Sequence, residues 1–314
     1  MEMELIVNLL PMTEERRAVF LNAAEGCEQV FAAHGADVPE DVYARATVIL
    51  GNPPPRLLTG CKRLRLLQTR SAGVDSYLAS GALPEGAALC SAVGAYGLSV
   101  SEHLFAMLLA SMKRLPAYRD QQRGGRWTDL GPAKTLAGAT VLCVGTGDLG
   151  SSFSRLCKAL GARTLGVRRD SSKPAEGIDE MYGMDELDAL LPAADVVALL
   201  LPGGPATAHL MDRRRLYLMK PDAILLNGGR GTAVDCAALA EALEEGHLWG
   251  ACLDVTDPEP LPPEHPLWRQ SRAVLTPHAA GGDHLSVTAE RIAEIALDNL
   301  GRYFAHQPLR NRMI

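Results

Sequence analysis

The apolar run Thr140-Val141-Leu142-Cys143-Val144 passes straight into Gly145-Thr146-Gly147-Asp148-Leu149-Gly150, and a helical pattern continues to about Leu160. A strand that is apolar at nearly every position is covered on both faces, the condition of a parallel sheet flanked by helices. With 30 glycines in the chain, a GxGxxG match alone says little. A buried strand before it and a helix opening inside it give it meaning. Gly145 permits the tight turn, Gly147 lets backbone amides approach a pyrophosphate, and Gly150 lets the helix lie close to the strand. Asp148 and Leu149 open that helix, whose unpaired N–H groups face the anion. The segment predicts a dinucleotide-binding turn.

Downstream, further strands are expected at 163–167, 195–200, 223–226, 248–253 and 273–275, giving about the six that a complete dinucleotide-binding sheet uses. Upstream, residues 5–10, a helix opened by Thr13 with Glu14 and Glu15 in its first turn, and strands at 47–50 and 64–69 form another α/β series. An amphipathic segment from Ser99 to about Arg114, apolar at 104, 105, 108, 109 and 112, is the expected link between two domains. Residues 119–131 are polar and glycine-containing, and are expected to form an irregular arm on a second subunit. A last amphipathic helix, 283–304, carries apolar positions 292, 295, 296 and 300 and is expected to return to the first domain. The 314 residues thus divide into a dinucleotide-binding domain, 99–282, and a discontinuous domain, 1–98 plus 283–314.

Composition narrows the partners. A net charge of -6 gives no basic field for a phosphate backbone, which argues against nucleic acid. The seven cysteines form no CxxC pair, so neither a zinc site nor a disulfide framework is suggested, and no metal is expected. The N-terminus lacks a basic region before its short apolar stretch, and no apolar run approaches the roughly 20 residues of a membrane span. A cytoplasmic protein without membrane contact is the expectation.

Near Val167, where an acidic residue would grip the ribose diol of NAD, the chain reads Arg168-Arg169-Asp170. Arginine there pairs with a 2′-phosphate through a charge-assisted contact, so NADP is the expected preference. NAD stays open, because a shift of the turn by one or two residues presents Asp170 instead. The plainer alternative is a solvated basic loop.

Three more segments each follow a predicted strand: Asn227-Gly228-Gly229-Arg230-Gly231, Asp254-Val255-Thr256-Asp257-Pro258-Glu259-Pro260, and Thr276-Pro277-His278-Ala279-Ala280-Gly281-Gly282. In open parallel sheets, ligands bind beyond the carboxyl ends of strands, so these segments should converge on one crevice. Hydride delivery to a carbonyl carbon leaves charge on oxygen, which a protonated imidazole neutralises. A carboxylate beside it favours the charged imidazole. Arginine stays ionised and presents a planar fork matched to a carboxylate.

With Ser71-Ala72-Gly73-Val74-Asp75 and Val100-Ser101-Glu102-His103 added, the chain closely resembles the D-isomer-specific 2-hydroxyacid dehydrogenase family over essentially its whole length. The resemblance implies an α/β protein of two Rossmann-like domains. One is a doubly wound parallel-sheet nucleotide-binding domain, the other a smaller flavodoxin-like substrate domain. It also implies an NAD(P)-dependent 2-oxoacid reductase, glyoxylate/hydroxypyruvate reductase-like, that forms a homodimer. By that resemblance Arg230 binds the substrate carboxylate, His278 is the acid/base and Glu259 hydrogen-bonds His278. Asp257 and Glu264 share the proline-rich loop of Glu259. Amides at Ala72, Gly73 and Val74 would help hold the carboxylate, and Asp254 would lie on the nicotinamide side. Leu201, Pro202, Thr207, Gly229 and Gly281 complete the expected cofactor contacts. Many relatives carry a polar residue where Leu201 precedes Pro202. His284 would cap the last helix or line the substrate pocket. Two alternatives are a nucleotide-sensing corepressor-like protein on the same scaffold and a formate- or phosphite-type dehydrogenase.

Overall fold

A computed structural model describes residues 3–282 and 285–314. His284 therefore lies outside the described residues. The chain forms two compact units, Met1–Tyr96 with Asp283–Ile314, and Gly97–Gly282.

The smaller unit holds five parallel strands: β1 (Leu5–Asn8), β2 (Glu28–Phe31), β3 (Val48–Leu50), β4 (Leu66–Gln68) and β5 (Ala88–Cys90), in the order β2-β1-β3-β4-β5. This is the flavodoxin-like order. β1, β3, β4 and β5 are buried throughout, whereas edge strand β2 is half-buried. That exposure permits its polar start, Glu28-Gln29, and hides it from an apolar pattern search. The first strand stops at Asn8 rather than Leu10, because the Asn8 side chain accepts the Leu10 amide at 3.0 Å and turns the chain. Helix Glu14–Ala23 is capped by Thr13, whose hydroxyl accepts from Arg16 N. Helix Ser286–Phe304 buries Ile292, Ile295, Ala296 and Leu300, and its Asn299 donates to Gln68 on β4 at 2.6 Å.

The larger unit holds seven parallel strands: β6 (Thr140–Val144), β7 (Arg163–Val167), β8 (Glu180–Tyr182), β9 (Val196–Leu199), β10 (Ile224–Asn227), β11 (Gly250–Leu253) and β12 (Ala273–Leu275). Their order is β12-β11-β10-β9-β6-β7-β8, the dinucleotide-binding order with one further strand at the β12 edge. The count exceeds six because β8, only three residues with an exposed glutamate, gives no apolar signal. Strands β9, β10 and β11 are buried at every position. Helix Gly97–Met112 packs along helix Asp148–Ala159, with Phe105 edge-on to Phe153 at 6.4 Å.

The stretch 119–131 is not irregular throughout. Helix Leu115–Arg123 takes its first part, opened with Pro116 in its first turn and closed at Gly124. Only Gln121 of that helix is buried, so no apolar stripe announces it.

Candidate active site

The glycine turn is built as its spacing requires. Gly145 has φ 96, a left-handed value, and its amide donates to the Val167 carbonyl at 2.9 Å, tying the turn to β7. A Cβ on Gly145 would strike the Leu200 carbonyl, and one on Gly150 would overlap the Gly145 carbonyl. Gly147 is exposed, and a Cβ there would meet nothing within 4 Å. It caps helix Asp148–Ala159, so an anion has clear access to the helix N-terminus. Asp148 and Leu149 are half-buried in its first turn. Beneath the turn lies Cys143, its thiol pushed up to about 12 by burial. It stays protonated and acts as a small apolar residue. These residues fit a bound dinucleotide.

Beyond β7, Arg168 is half-buried and Arg169 exposed. The Asp170 carboxylate accepts from Ser172 Oγ at 2.6 Å and pairs with Lys173 at 3.2 Å. Those partners, the Ser172 hydroxyl first, hold it below the usual carboxylate range.

After β9, Leu201 is buried and Pro202 exposed. The Thr207 hydroxyl lies 3.0 Å from the Pro202 carbonyl and closes the loop on itself. A Cβ on Gly203 would stand 3.0 Å from Arg230 Cγ, and one on Gly229 would meet the Leu201 backbone. The loops after β9 and β10 are therefore in close contact. Asn227, at the end of β10, is buried and clamps the second loop. Its side chain donates to the Arg230 carbonyl at 2.9 Å and accepts the Gly229 amide at 3.2 Å. Arg230 Nη1 donates to the Gly229 carbonyl at 2.8 Å.

The Arg230 loop also lies directly on the loop that follows β11, because a Cβ on Gly231 would run into the Thr256 carbonyl. Glu259 is fixed at both carboxylate oxygens. Oε1 accepts the Thr256 amide at 3.0 Å and Oε2 faces His278 Nδ1 at 3.0 Å. A carboxylate only accepts, so His278 presents Nδ1–H to it. The imidazole and carboxylate are 52% and 40% exposed, open to an incoming ligand. A cavity of about 590 Å³ adjoins the pair, lined by Leu261, Trp268, Leu275 and Pro277 among others.

Asp254 is 3% exposed and organises the loop after β12. It accepts from Thr276 Oγ1 at 2.6 Å, from the Ala279 amide at 2.8 Å and from the Ala280 amide at 3.1 Å. Gly281 follows directly and is half-buried. Arg230, Glu259 and His278 thus sit on three consecutive loops joined by backbone packing and hydrogen bonds. Ala72, Gly73 and Val74 belong to the smaller unit, before helix Asp75–Ser80. There Ser71 Oγ donates to the Gly73 carbonyl at 2.7 Å and Val74 is part of the core.

Sequence reasoning passed over Asn227, Thr256, Thr276 and His103. Three flank a catalytic candidate within the strand-end segments. His103 lies on helix Gly97–Met112, and its Nε2 is 3.0 Å from Thr276 Oγ1. Only its place in the Ser101-Glu102-His103 segment could have flagged it. Among the described residues, no cluster of three or more His, Cys, Asp or Glu side chains is arranged to hold a metal ion. Nor is any helix long and apolar enough to cross a membrane.

Comparison with known proteins identifies relatives of this chain. Residues 105–280 match the family described as D-isomer specific 2-hydroxyacid dehydrogenase, NAD binding domain. A glyoxylate/hydroxypyruvate reductase B of Enterobacter sp. (strain 638) is 32% identical over 269 residues, covering 83% of this chain and 82% of the relative. The crystal structure of a D-isomer specific 2-hydroxyacid dehydrogenase family protein from Aeromonas salmonicida superposes with a TM-score of 0.87 at 31% identity. It covers 100% of this chain and 99% of the other. An NADPH-dependent glyoxylate/hydroxypyruvate reductase from Sinorhizobium meliloti, in complex with NADP and sulfate, gives a TM-score of 0.83 at 26% identity, covering 99% and 98%. The chain belongs to the D-isomer specific 2-hydroxyacid dehydrogenase family of NAD(P)-dependent oxidoreductases.

Proposed function

We propose that this enzyme reduces small 2-oxoacids to D-2-hydroxyacids with NADPH as the preferred donor. The observation that carries the reading is the Glu259–His278 pair at 3.0 Å, packed beside the Arg230 loop on the sheet that also presents the glycine turn. A bound nicotinamide supplies the hydride. Arg230 holds the substrate carboxylate through its planar fork and stabilises charge developing on the 2-oxo oxygen. With Nδ1 donating to Glu259, Nε2 of His278 is the atom that passes a proton to that oxygen. The Thr256 amide keeps Glu259 from swinging away. Asp254 lies on the nicotinamide side of the site.

The NADPH preference is supported by half-buried Arg168 at the end of β7 and by Asp170, whose oxygens are engaged within their own loop. The named activities of the Enterobacter and Sinorhizobium relatives make glyoxylate and hydroxypyruvate the first substrates to try. We assign a homodimer, supported by the segment after Leu115–Arg123, where the Trp127 side chain is fully exposed. A cytoplasmic location is supported by seven free thiols, six of them buried.

Initial rates with a panel of 2-oxoacids and both nicotinamides test the proposal. The expectation is turnover of at least one short 2-oxoacid with kcat/KM about tenfold or more in favour of NADPH, and loss of that preference in Arg168→Ala. A clear NADH preference contradicts the Arg168 assignment. Nucleotide binding without turnover of any member contradicts the reductase reading.

A further inference from the structure

Asp254 gathers three donors from the loop that carries His278, while the His278 amide donates to the Asp254 carbonyl at 2.7 Å. That loop needs holding. His278 has φ 52, a left-handed value that costs a non-glycine residue on the order of 1 kcal/mol and persists only where the surroundings impose it. The Thr276 hydroxyl has a single proton, and the Asp254 carboxylate 2.6 Å away can only accept, so the proton goes to Asp254. The Thr276 oxygen is then left to accept. His103 Nε2 stands 3.0 Å from it and 3.7 Å from Asp254 Oδ1. This bookkeeping fixes His103 with its proton on Nε2.

We propose that His103 is a positioning residue for the reaction. Donating to Thr276, it orients the hydroxyl toward Asp254, and Asp254 in turn collects the Ala279 and Ala280 amides and holds the backbone of His278 in place. The chain of contacts runs from the middle of helix Gly97–Met112 to the catalytic loop within a single compact unit. Its catalytic consequence rests on the reading of His278 as the proton donor. Its structural consequence does not.

The test uses the full chain with His103→Leu, His103→Gln, Thr276→Val and the His103→Leu/Thr276→Val double variant. Two quantities are read: hydrogen exchange of the peptide spanning 276–281 without nucleotide, and steady-state kcat. Glutamine carries an N–H to nearly the position of Nε2, whereas leucine does not. His103→Leu is expected to speed exchange in that peptide and lower kcat, each roughly tenfold, the scale of one buried hydrogen bond. His103→Gln should restore both. The double variant should be no worse than the more impaired single one, since both break one chain of contacts. The proposal is overturned if His103→Leu matches the wild type in exchange, or if His103→Gln is as impaired as His103→Leu. Should the wild type turn over no 2-oxoacid, the functional reading fails, while the exchange comparison still decides the role of His103.

Discussion

At the scale of single residues, the informative carboxylates are those with more than one donor. Asp179, which precedes β8, accepts the Thr164 amide of β7 at 2.9 Å and pairs with Lys158 on the helix that follows the glycine turn. Lys158 first, and the Thr164 amide next, hold its carboxyl down at about 2, against an ordinary 3.8. The folded-state value is depressed, so the stabilisation is complete above pH 4 and is lost as pH falls from about 4 toward 2. Unfolding free energies of wild type and Asp179→Asn, read from denaturant titrations, should therefore differ by about 1 kcal/mol at pH 7, as for a half-exposed pair, and converge in that acid window. A gap that stays constant or widens in acid contradicts the assignment. Glu259 shows what residue patterns left open. Asp257, Glu259 and Glu264 share one proline-rich loop, and local spacing alone does not choose among them. Only the fold shows Oε2 of Glu259 meeting His278 Nδ1.

At the scale of elements, the glycines separate packing from ligand approach. Gly150→Ala places a methyl on the Gly145 carbonyl between helix and strand, and should destabilise the protein by about 1–3 kcal/mol. Gly147 has φ -78, acceptable to alanine, and open space around it. Gly147→Ala should keep the wild-type melting temperature yet weaken NADPH binding, read by fluorescence titration, by about tenfold or more. Normal nucleotide affinity in Gly147→Ala would contradict the close approach of a phosphate there. The strands the sequence revealed, β6, β7 and β12 to the residue among them, are those whose apolar side chains alone decide the pattern. Of those it concealed, β2 and β8 are short, polar and at sheet edges, where half the surface faces water, while β5 is buried and apolar but only three residues long, too short to register as a run. Helix Leu115–Arg123 was hidden for a related reason, having one buried residue and no stripe.

At the scale of the whole molecule, two parallel sheets with different strand orders carry different parts of the sequence motifs. In the larger sheet the order turns back between β6 and β9, the place where such sheets bind their ligands. Gly145 and Leu200 meet there, and the loops after β10, β11 and β12 continue along the same edge. Parallel pairing makes this possible, since strand-end residues far apart in sequence are delivered to one side. That is why the order of motifs already pointed to a shared site, while the contacts that hold it, through Asn227, Thr256 and Thr276, were not legible. They depend on loop conformations that no periodicity encodes.

The most direct measurement compares wild type, Arg230→Ala and His278→Ala in NADPH oxidation by the best 2-oxoacid, with nucleotide affinity measured alongside. The expected result is NADPH affinity within about twofold of wild type in both variants. The Arg230 variant should lose about 10²–10³-fold in kcat/KM and the His278 variant about 10²–10⁴-fold in kcat. Near-wild-type turnover in His278→Ala, or undiminished kcat/KM in Arg230→Ala, would contradict a site in which these side chains bind the carboxylate and deliver the proton.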